Sequence, residues 1–158
     1  MTTFTPCSLY AALAALALAL SGCAAADPAL RKAISDVADR PESAQVALRP
    51  YAEQGNEAAI AAICIAYGRS MDYQVRGAER VRAFEWCRQA ALAGRVEAQY
   101  HLGMFYKSGI GITEDRALAL HWYKLAASGG HDEAENEARG LEGKPRVCRN
   151  LITNCKLF

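Results

Sequence analysis

The fold is decided by the stretch EAQYHLGMFYKSGIGITEDRALALHWYKLAASGG, which runs from Glu97 to Gly130. Apolar residues recur at helical spacing on both sides of a glycine-rich break. They are Ala98, Leu102, Phe105 and Tyr106 before the break, and Leu118, Trp122, Leu125 and Ala126 after it. Ser108–Gly111 interrupts the first helix because glycine readily adopts positive φ, and Thr113 is placed to cap the second. The stretch therefore predicts two helices joined by a tight turn.

A second copy of this pattern lies upstream of the first. An offset of 39 aligns Ala59 with Ala98, Ile63 with Leu102 and Tyr67 with Tyr106. An offset of 36 aligns Trp86 with Trp122, Ala90-Ala91 with Ala126-Ala127 and Gly94 with Gly130. The three additional residues of the first copy fall in a loop, where insertions are tolerated. Ala, the best helix former, occurs 32 times in the 158 residues, so we expect an all-α protein.

These residues resemble the Sel1-like repeat family, which is related to the tetratricopeptide repeat. The family pattern has an Ala-x-x-x-Leu-Gly-x-x-Tyr helix, a Gly-x-Gly turn, an Asp and an Ala-x-x-Trp-Tyr-x-x-Ala-Ala helix. In the second copy it is occupied by Ala98, Leu102, Gly103, Tyr106, Gly109, Gly111, Ile112, Asp115, Ala119, Trp122, Tyr123, Ala126 and Ala127. The resemblance implies a short α-solenoid of antiparallel helix pairs and a role in protein–protein interaction.

The repeats divide the chain into seven parts. These are a lipoprotein signal peptide (1–22), a lipid-anchored N-terminus and linker (23–26), N-terminal capping helices (27–55), repeat one (56–94), repeat two (95–130), a C-terminal capping helix (131–143) and a tail that could close a disulfide loop (144–158). Asp27-Pro28 begins a helix whose apolar face holds Leu30, Ile34 and Val37. Pro50 is expected to bend or break the next helix. Solenoids with so few repeats need such caps to close the core.

The N-terminal 22 residues have the features of an export signal. Residues 9–20 are uncharged and apolar, and as a helix of about 18 Å they are too short to span a hydrocarbon core of about 30 Å. The segment lacks the Lys or Arg that usually precedes such a run. Leu20-Ser21-Gly22-Cys23 resembles a bacterial lipobox. The resemblance implies cleavage before Cys23, lipid on its thiol and amino group, and sorting to the outer membrane because Ala24 follows.

We therefore expect a lipoprotein of the bacterial cell envelope that faces the periplasm and contacts the membrane only through its lipid. The alternative is an ordinary signal peptide that is cut in the Ala24–Ala26 run, with loss of Cys23.

Four cysteines remain after Cys7 and Cys23 are set aside, namely Cys64, Cys87, Cys148 and Cys155. An even number in an exported chain favours disulfides, and three connectivities are open. A Cys148–Cys155 bridge would close a short tail loop. Cys64 and Cys87 would lie at the same height of a helix pair, and relative to the family pattern they replace the equivalents of Gly103 and Tyr123, which favours their pairing. The alternative for Cys64 and Cys87 is two small buried hydrophobic residues.

The sequence contains no recognisable catalytic, cofactor or metal motif. It lacks Ser-x-x-Lys and Gly-x-Ser-x-Gly. His101, His121 and His131 do not have the spacing of metal ligands, and we interpret them as structural or surface residues. A net charge of +1 also disfavours binding to nucleic acid. We expect a protein without enzymatic activity or cofactor.

A solenoid binds partners on its concave face, which by analogy with tetratricopeptide repeats takes the outward residues of the first helix of each pair. These are Ile65, Arg69, Glu97, Tyr100, Met104 and Lys107. Such a mixture suits a peptide or protein segment, so we expect an adaptor. The alternatives are that the residues only pack, that the protein is an enzyme or small-ligand binder acting on an envelope component, or that it is a structural subunit of an envelope complex.

Overall fold

A computed structural model describes residues 27–70 and 78–146 of the chain. These residues form seven α-helices and no β-strand, which confirms the predicted fold class. The helices are α1 (Pro28–Ser35), α2 (Pro41–Glu53), α3 (Glu57–Ser70), α4 (Ala78–Leu92), α5 (Val96–Ser108), α6 (Arg116–Ser128) and α7 (Asp132–Leu141). No helix among these residues is long and apolar enough to cross a membrane.

Successive helices pack against each other as the antiparallel neighbours that short connections favour. The odd-numbered helices form a second set of contacts, in which α1 packs on α3 and α3 packs on α5. We call α1, α3, α5 and α7 the A helices, and α2, α4 and α6 the B helices. The result is a short α-solenoid with the A helices side by side.

Acidic side chains and glycines set the helix ends. Asp27 caps α1 by accepting hydrogen bonds from the backbone N–H groups of Ala29 and Leu30. Asp115 caps α6 in the same way, so the expectation that Thr113 does so is wrong. Asp115 has the extended backbone of an N-cap and leaves Thr113 outside the helix. Gly109, with φ of +65°, ends α5 as the sequence predicts.

Pro50 lies inside α2, which continues to Glu53. Of the two outcomes expected for Pro50, a bend or a break, the break therefore does not occur. Proline at this position removes one hydrogen bond to the carbonyl four residues earlier. Leu48 and Ala52, on either side of it, are buried against the neighbouring helices, and this tertiary packing outweighs the lost backbone bond.

One large cluster and one small cluster make up the hydrophobic core. The large cluster extends from α1 to α5 and includes Leu48, Ile63, Phe84 and Trp86. The small cluster lies between α5, α6 and α7, and its buried residues are Ala119, Tyr123, Ala126, Ala134 and Ala138. Trp122, the repeat equivalent of Trp86, is half-buried against the large cluster.

A disulfide joins α3 to α4 inside the large cluster. It connects Cys64 to Cys87, whose Cα atoms lie 4.7 Å apart and whose side chains are fully buried. This is one of the pairings that the sequence left open. Cys148 and Cys155, the other two candidates, lie outside the described residues.

The equivalent positions of repeat two hold Gly103 on α5 and Tyr123 on α6. A Cβ added to Gly103 would lie 2.7 Å from the Tyr123 ring, so only glycine allows the ring to pack there. In repeat two the A and B helices meet through the Tyr123 ring and Gly103, and in repeat one they meet at the same positions through the disulfide.

The close approach at Tyr123 also decides which side of α6 is buried. Ala119, Tyr123 and Ala126 face the core, whereas Leu118 and Leu125 are each 41% exposed. Of the residues at helical spacing in the sequence, Ala126 is buried and Trp122 is half-buried, whereas Leu118 and Leu125 remain partly exposed. Small side chains form the interface because they let the helix axes come near each other.

Candidate functional site

The candidate site is the surface formed by α3, α5 and α7, which we call the A-helix face. Helices α3 and α5 meet closely where the buried ring of His101 lies against Gly68, since a Cβ on Gly68 would be 2.1 Å from the ring. Helices α5 and α7 are joined by an ion pair between Lys107 and Glu137. These contacts align the three helices into one continuous surface.

The six residues predicted to bind a partner lie on these helices but differ in their surroundings. Ile65 is partly buried against the large cluster, and Met104 and Tyr100 are partly buried against the small one. Glu97 and Lys107 form ion pairs within the molecule. Arg69 is exposed. Several of these side chains therefore hold the repeats together as well as contributing to the surface.

Glu97 lies between two histidines that come from different elements. One carboxylate oxygen is 3.2 Å from Nε2 of His131, which precedes α7, and the other is 3.6 Å from Nε2 of His101, one turn along α5. The second distance is longer than a hydrogen bond, so this contact is electrostatic. The His131 ring also stacks on Tyr100, with ring centroids 4.2 Å apart. The group ties the start of α7 to α5.

This environment holds the pKa of the Glu97 carboxyl below its ordinary value. The contact with His101 is the largest cause, and partial burial opposes it. The charges of His131 and Arg69 add to the lowering of the pKa. The charge of the Glu97 carboxylate therefore interacts with side chains of the same molecule.

His131 has a second role that the sequence analysis missed. Its Nδ1 accepts a hydrogen bond from the backbone N–H of Ala134 at 3.2 Å, so His131 is the N-cap of α7. The other nitrogen of the ring, Nε2, is the one that faces the Glu97 carboxylate. The sequence signal is the position of His131 immediately before the acidic first turn Asp132-Glu133.

Two buried side chains under the face have polar atoms without hydrogen-bond partners among the described residues. These atoms are the two ring nitrogens of His101 and the hydroxyl oxygen of Tyr123. Burial raises the pKa of Tyr123 well above its ordinary value, and the negative charge of Glu137 adds to this. An unpaired buried hydroxyl costs stability, and the close packing of the Tyr123 ring against Gly103 accounts for its retention.

Charged side chains of this face contact neighbouring helices. Within residues 27–70 and 78–146 no three His, Cys, Asp or Glu side chains are grouped so that they could hold a metal ion. The polar groups are arranged as pairs across helix boundaries. Cys23, the predicted lipid-attachment residue, lies outside the described part of the chain.

A family model for the Sel1 repeat matches residues 61–94 and 96–131. The chain contains two Sel1 repeats. The first matched segment covers most of α3 and all of α4, and the second covers all of α5 and α6. The A-helix face therefore carries the first helix of both Sel1 repeats together with the A helix that follows them.

Similar proteins are known from fungi and bacteria. Chitin synthase regulator SKT5 of Saccharomyces cerevisiae is 39% identical over 61 residues, which are 39% of this chain and 9% of that protein. Chitin synthase regulatory factor 1 of Schizosaccharomyces pombe is 38% identical over 65 residues, 41% of this chain and 14% of that protein. A solved Sel1 repeat protein from Oxalobacter formigenes is 34% identical, with 63% of this chain and 72% of that chain covered and a TM-score of 0.48. The chain thus spans only a small part of the two fungal relatives.

Proposed function

We propose that this protein is a non-enzymatic adaptor that binds a segment of a protein or peptide on the A-helix face of its Sel1 repeats. The observation that carries the proposal is the continuous surface made by α3, α5 and α7, which presents half-buried apolar side chains beside charged ones. Support also comes from the two fungal relatives, which are named as regulators and share the repeat segment.

Within the face, Arg69, Ile65 and Met104 are the residues we assign to the partner. Arg69 is exposed at the end of α3, and Ile65 and Met104 offer apolar surface that is only partly buried. Tyr100 contributes the outer edge of its ring. Glu97 and Lys107, which are paired inside the molecule, keep the helices aligned and so shape the surface.

Photocrosslinking in intact cells tests this assignment. A benzophenone amino acid in place of Arg69 should capture a protein partner, because an exposed side chain on the binding face lies within reach of a bound segment. The matched control places the same group at Gln89, an exposed residue of the B helix α4. Equal capture from both positions, or none from Arg69, would contradict the proposal.

The identity of the captured species separates the adaptor from its rivals. A stoichiometric complex that survives purification and includes the A-helix face would favour a structural subunit. A small molecule from the cell envelope that protects Arg69 from crosslinking would favour a ligand-binding protein or enzyme.

We also propose that the protein is anchored in the bacterial outer membrane, facing the periplasm, by lipid on Cys23. The apolar run at residues 9–20 and the lipobox-like Leu20–Cys23 support this. A Cys23→Ser variant should move from the membrane fraction to the soluble fraction, because it cannot carry the lipid that attaches the protein to the bilayer. A Cys7→Ser variant is the control. Retention of the Cys23→Ser variant in membranes would overturn the anchor.

A further inference from the structure

The exposed apolar side chains of the described residues concentrate on one surface, which α4, α6 and the turn before α6 form. Six large hydrophobic side chains of residues 27–70 and 78–146 are exposed, and five of them belong to this surface, whereas Val46 lies on α2. We call the five residues, together with the half-buried Trp122, the α4–α6 surface. Its members are Val81, Leu92, Ile112, Leu118, Trp122 and Leu125. The surface lies on the B-helix side of the core, and contiguous apolar patches of this kind mark interaction sites.

Helices α4 and α6 lie side by side with their corresponding ends together. A Cβ on Gly111 would lie 2.3 Å from the carbonyl oxygen of Arg80, so the turn that leads into α6 rests on the start of α4. A Cβ on Gly129 would lie 2.5 Å from the side chain of Val96, so α6 finishes beside the point where α4 gives way to α5. The α4–α6 surface therefore extends along the whole of α6, which is about 20 Å long.

The outer side of α6 carries a stripe that can pair with a copy of itself. Leu118, Trp122 and Leu125 follow one another at spacings of four and three residues, so they lie on one side of the helix. Trp122 packs against the large cluster, whereas Lys124 pairs with Glu142 on the side of α7. The stripe is therefore on the side of α4. Leu118 and Leu125 are each 41% exposed, and they lie on opposite sides of the middle of the stripe.

We propose that the α4–α6 surface binds a second copy of the chain, with the two α6 helices antiparallel about a two-fold axis that passes near Trp122. Leu118 of each copy then packs against Leu125 of the other. This reciprocal contact is the property that an isologous interface requires.

The two ends of the surface are complementary under the same axis. Ile112, before the start of α6, comes opposite Leu92 of the second copy, at the end of α4. Glu114, whose side chain is 60% exposed, comes near Arg95 of the second copy, which is also exposed. The antiparallel arrangement therefore matches apolar side chains with apolar side chains and a carboxylate with a guanidinium.

The charged side chains around the surface favour an apolar occupant without excess charge. Arg82 pairs with Glu53 of α2 and Arg88 pairs with Glu85 of α4, and Lys124 of α6 is paired as well. Because these cations are neutralised within the molecule, they disfavour an anionic bilayer or a nucleic acid as the occupant. A second copy offers the same apolar side chains together with the same paired charges.

The ends of the solenoid offer no comparable surface. Arg31 and Lys32 of α1 and Asp132 and Glu133 of α7 are exposed, and neither helix has an exposed large hydrophobic side chain. Polar terminal helices keep solenoids from stacking end to end. Two copies therefore meet along their sides, and both A-helix faces are directed outward.

The size of the surface sets the strength of the dimer. Two adjacent helices about 20 Å long and about 10 Å wide offer a footprint of about 400 Å² on each copy. A stable interface of standard size buries about 800 Å² on each partner. We therefore expect a weak dimer that forms and dissociates in the micromolar range of concentration.

Sedimentation equilibrium of the purified full chain, from low to high micromolar concentration, tests the dimer. The average mass should rise from monomer toward dimer. Leu118→Glu should weaken the association by about tenfold or more, because each dimer would contain two carboxylates that face leucine side chains. The matched control is Val46→Glu, at the exposed apolar residue outside the surface, which should associate like the parent protein. A parent protein that stays monomeric, or a dimer that Leu118→Glu leaves unchanged, would overturn the proposal.

Charge reversal tests the antiparallel arrangement. Glu114→Arg and Arg95→Glu should each weaken the dimer about two- to fivefold, as expected for exposed ion pairs. An equimolar mixture of the two variants should recover the association of the parent protein, since each reversed residue then meets the opposite charge on the other copy. Within one copy the two residues lie at opposite ends of α6, so this recovery cannot arise inside a monomer. A mixture that associates no more strongly than either variant alone would contradict the arrangement.

A lipid surface is the competing occupant, and Trp122 distinguishes it because the other tryptophan, Trp86, is buried. A parent protein that stays monomeric while vesicles of phosphatidylcholine and phosphatidylglycerol shift the fluorescence of Trp122 to the blue would assign the surface to the membrane and overturn the second copy. None of these measurements involves the partner of the A-helix face, so their result is independent of the adaptor proposal.

Discussion

At the scale of single residues, Gly111 shows how one glycine places a whole turn. It has φ of +74°, and a Cβ at this position would lie 2.3 Å from the carbonyl oxygen of Arg80, at the start of α4. The turn between α5 and α6 therefore rests directly on the backbone of the preceding repeat. Gly94 has a similar φ of +81°, but nothing lies within 4 Å of its missing Cβ.

This pair of glycines separates backbone strain from steric contact. Gly94→Ala should cost about 1 kcal/mol of the free energy of unfolding, from the positive φ alone. Gly111→Ala carries the same strain and should cost about 1–3 kcal/mol more, because the backbone contact with Arg80 forces a shift. Chemical denaturation monitored by circular dichroism measures both. Equal costs would mean that the turn moves freely away from α4.

The charge of Glu97 should also be visible in the pH dependence of stability. Its pKa in the folded protein lies below the ordinary value of 4.5, so its carboxylate stabilises the fold above that pH, and the stabilisation is lost as the pH falls through the folded pKa. Glu97→Gln should therefore be less stable than the parent protein above pH 4.5, and the two should converge at lower pH.

The same Glu97→Gln substitution, made in a protein that also carries His131→Asn, tests whether His131 is a partner of Glu97. His131→Asn retains a side-chain oxygen that can cap α7 but removes the imidazole, so the effect of Glu97→Gln should be smaller there. Denaturation at a series of pH values gives all four stabilities. An effect of Glu97→Gln that does not change with pH or with the His131 background would contradict the pairing.

At the scale of helices, the disulfide between α3 and α4 replaces a contact that repeat two makes differently. Loss of the bridge by Cys64→Ala with Cys87→Ala should cost about 3 kcal/mol, given the loop that it closes and its sequence separation of 23. The double variant Cys64→Gly with Cys87→Tyr should recover part of that cost, since Gly103 and Tyr123 fill the equivalent positions. Thermal denaturation compares the two. A lower stability of the Gly–Tyr variant than of the Ala–Ala variant would show that the positions are not equivalent.

The helices and their pairing were predictable from sequence because the apolar spacing, the internal repeat and the glycine turns all indicated the same arrangement. The interfaces were less predictable. The buried side of α6 consists of Ala119, Tyr123 and Ala126, and larger side chains on the adjacent stripe stay partly exposed. Helical spacing alone does not decide between these two sides, because the sequence does not show how closely Gly103 lets α5 and α6 approach each other.

The candidate site was predictable to a similar extent. The six outward residues do lie on the A helices, but no sequence pattern indicated that Glu97 would face two histidines or that Lys107 would bind Glu137. The contacts of Glu97 with His131 and of Lys107 with Glu137 join residues about one helix pair apart in sequence, and they depend on the stagger between successive A helices. His131 was predicted only as a structural or surface residue, because histidine is not among the usual N-cap residues.

At the scale of the whole molecule, the unequal size of the two hydrophobic clusters should divide the stability of the solenoid. The large cluster buries Leu48, Ile63, Phe84 and Trp86 around the disulfide. The fully buried part of the small cluster is four alanines and one tyrosine, and α7 contributes only Ala134 and Ala138 to it. Burial of apolar area is the main source of stability, so the end formed by α7 should be the weaker one.

Native-state hydrogen exchange tests this division, since it measures the free energy of opening for each helix. Amides of α7 should open at a lower free energy than those of α3 and α4. Reduction of the disulfide should lower the protection of α3 and α4 much more than that of α7, because the bridge lies in the other cluster. One common free energy of opening for all helices, before and after reduction, would contradict this division. The repeats would then form a single cooperative unit, and α7 could not open without unfolding the Sel1 repeats that carry the binding face.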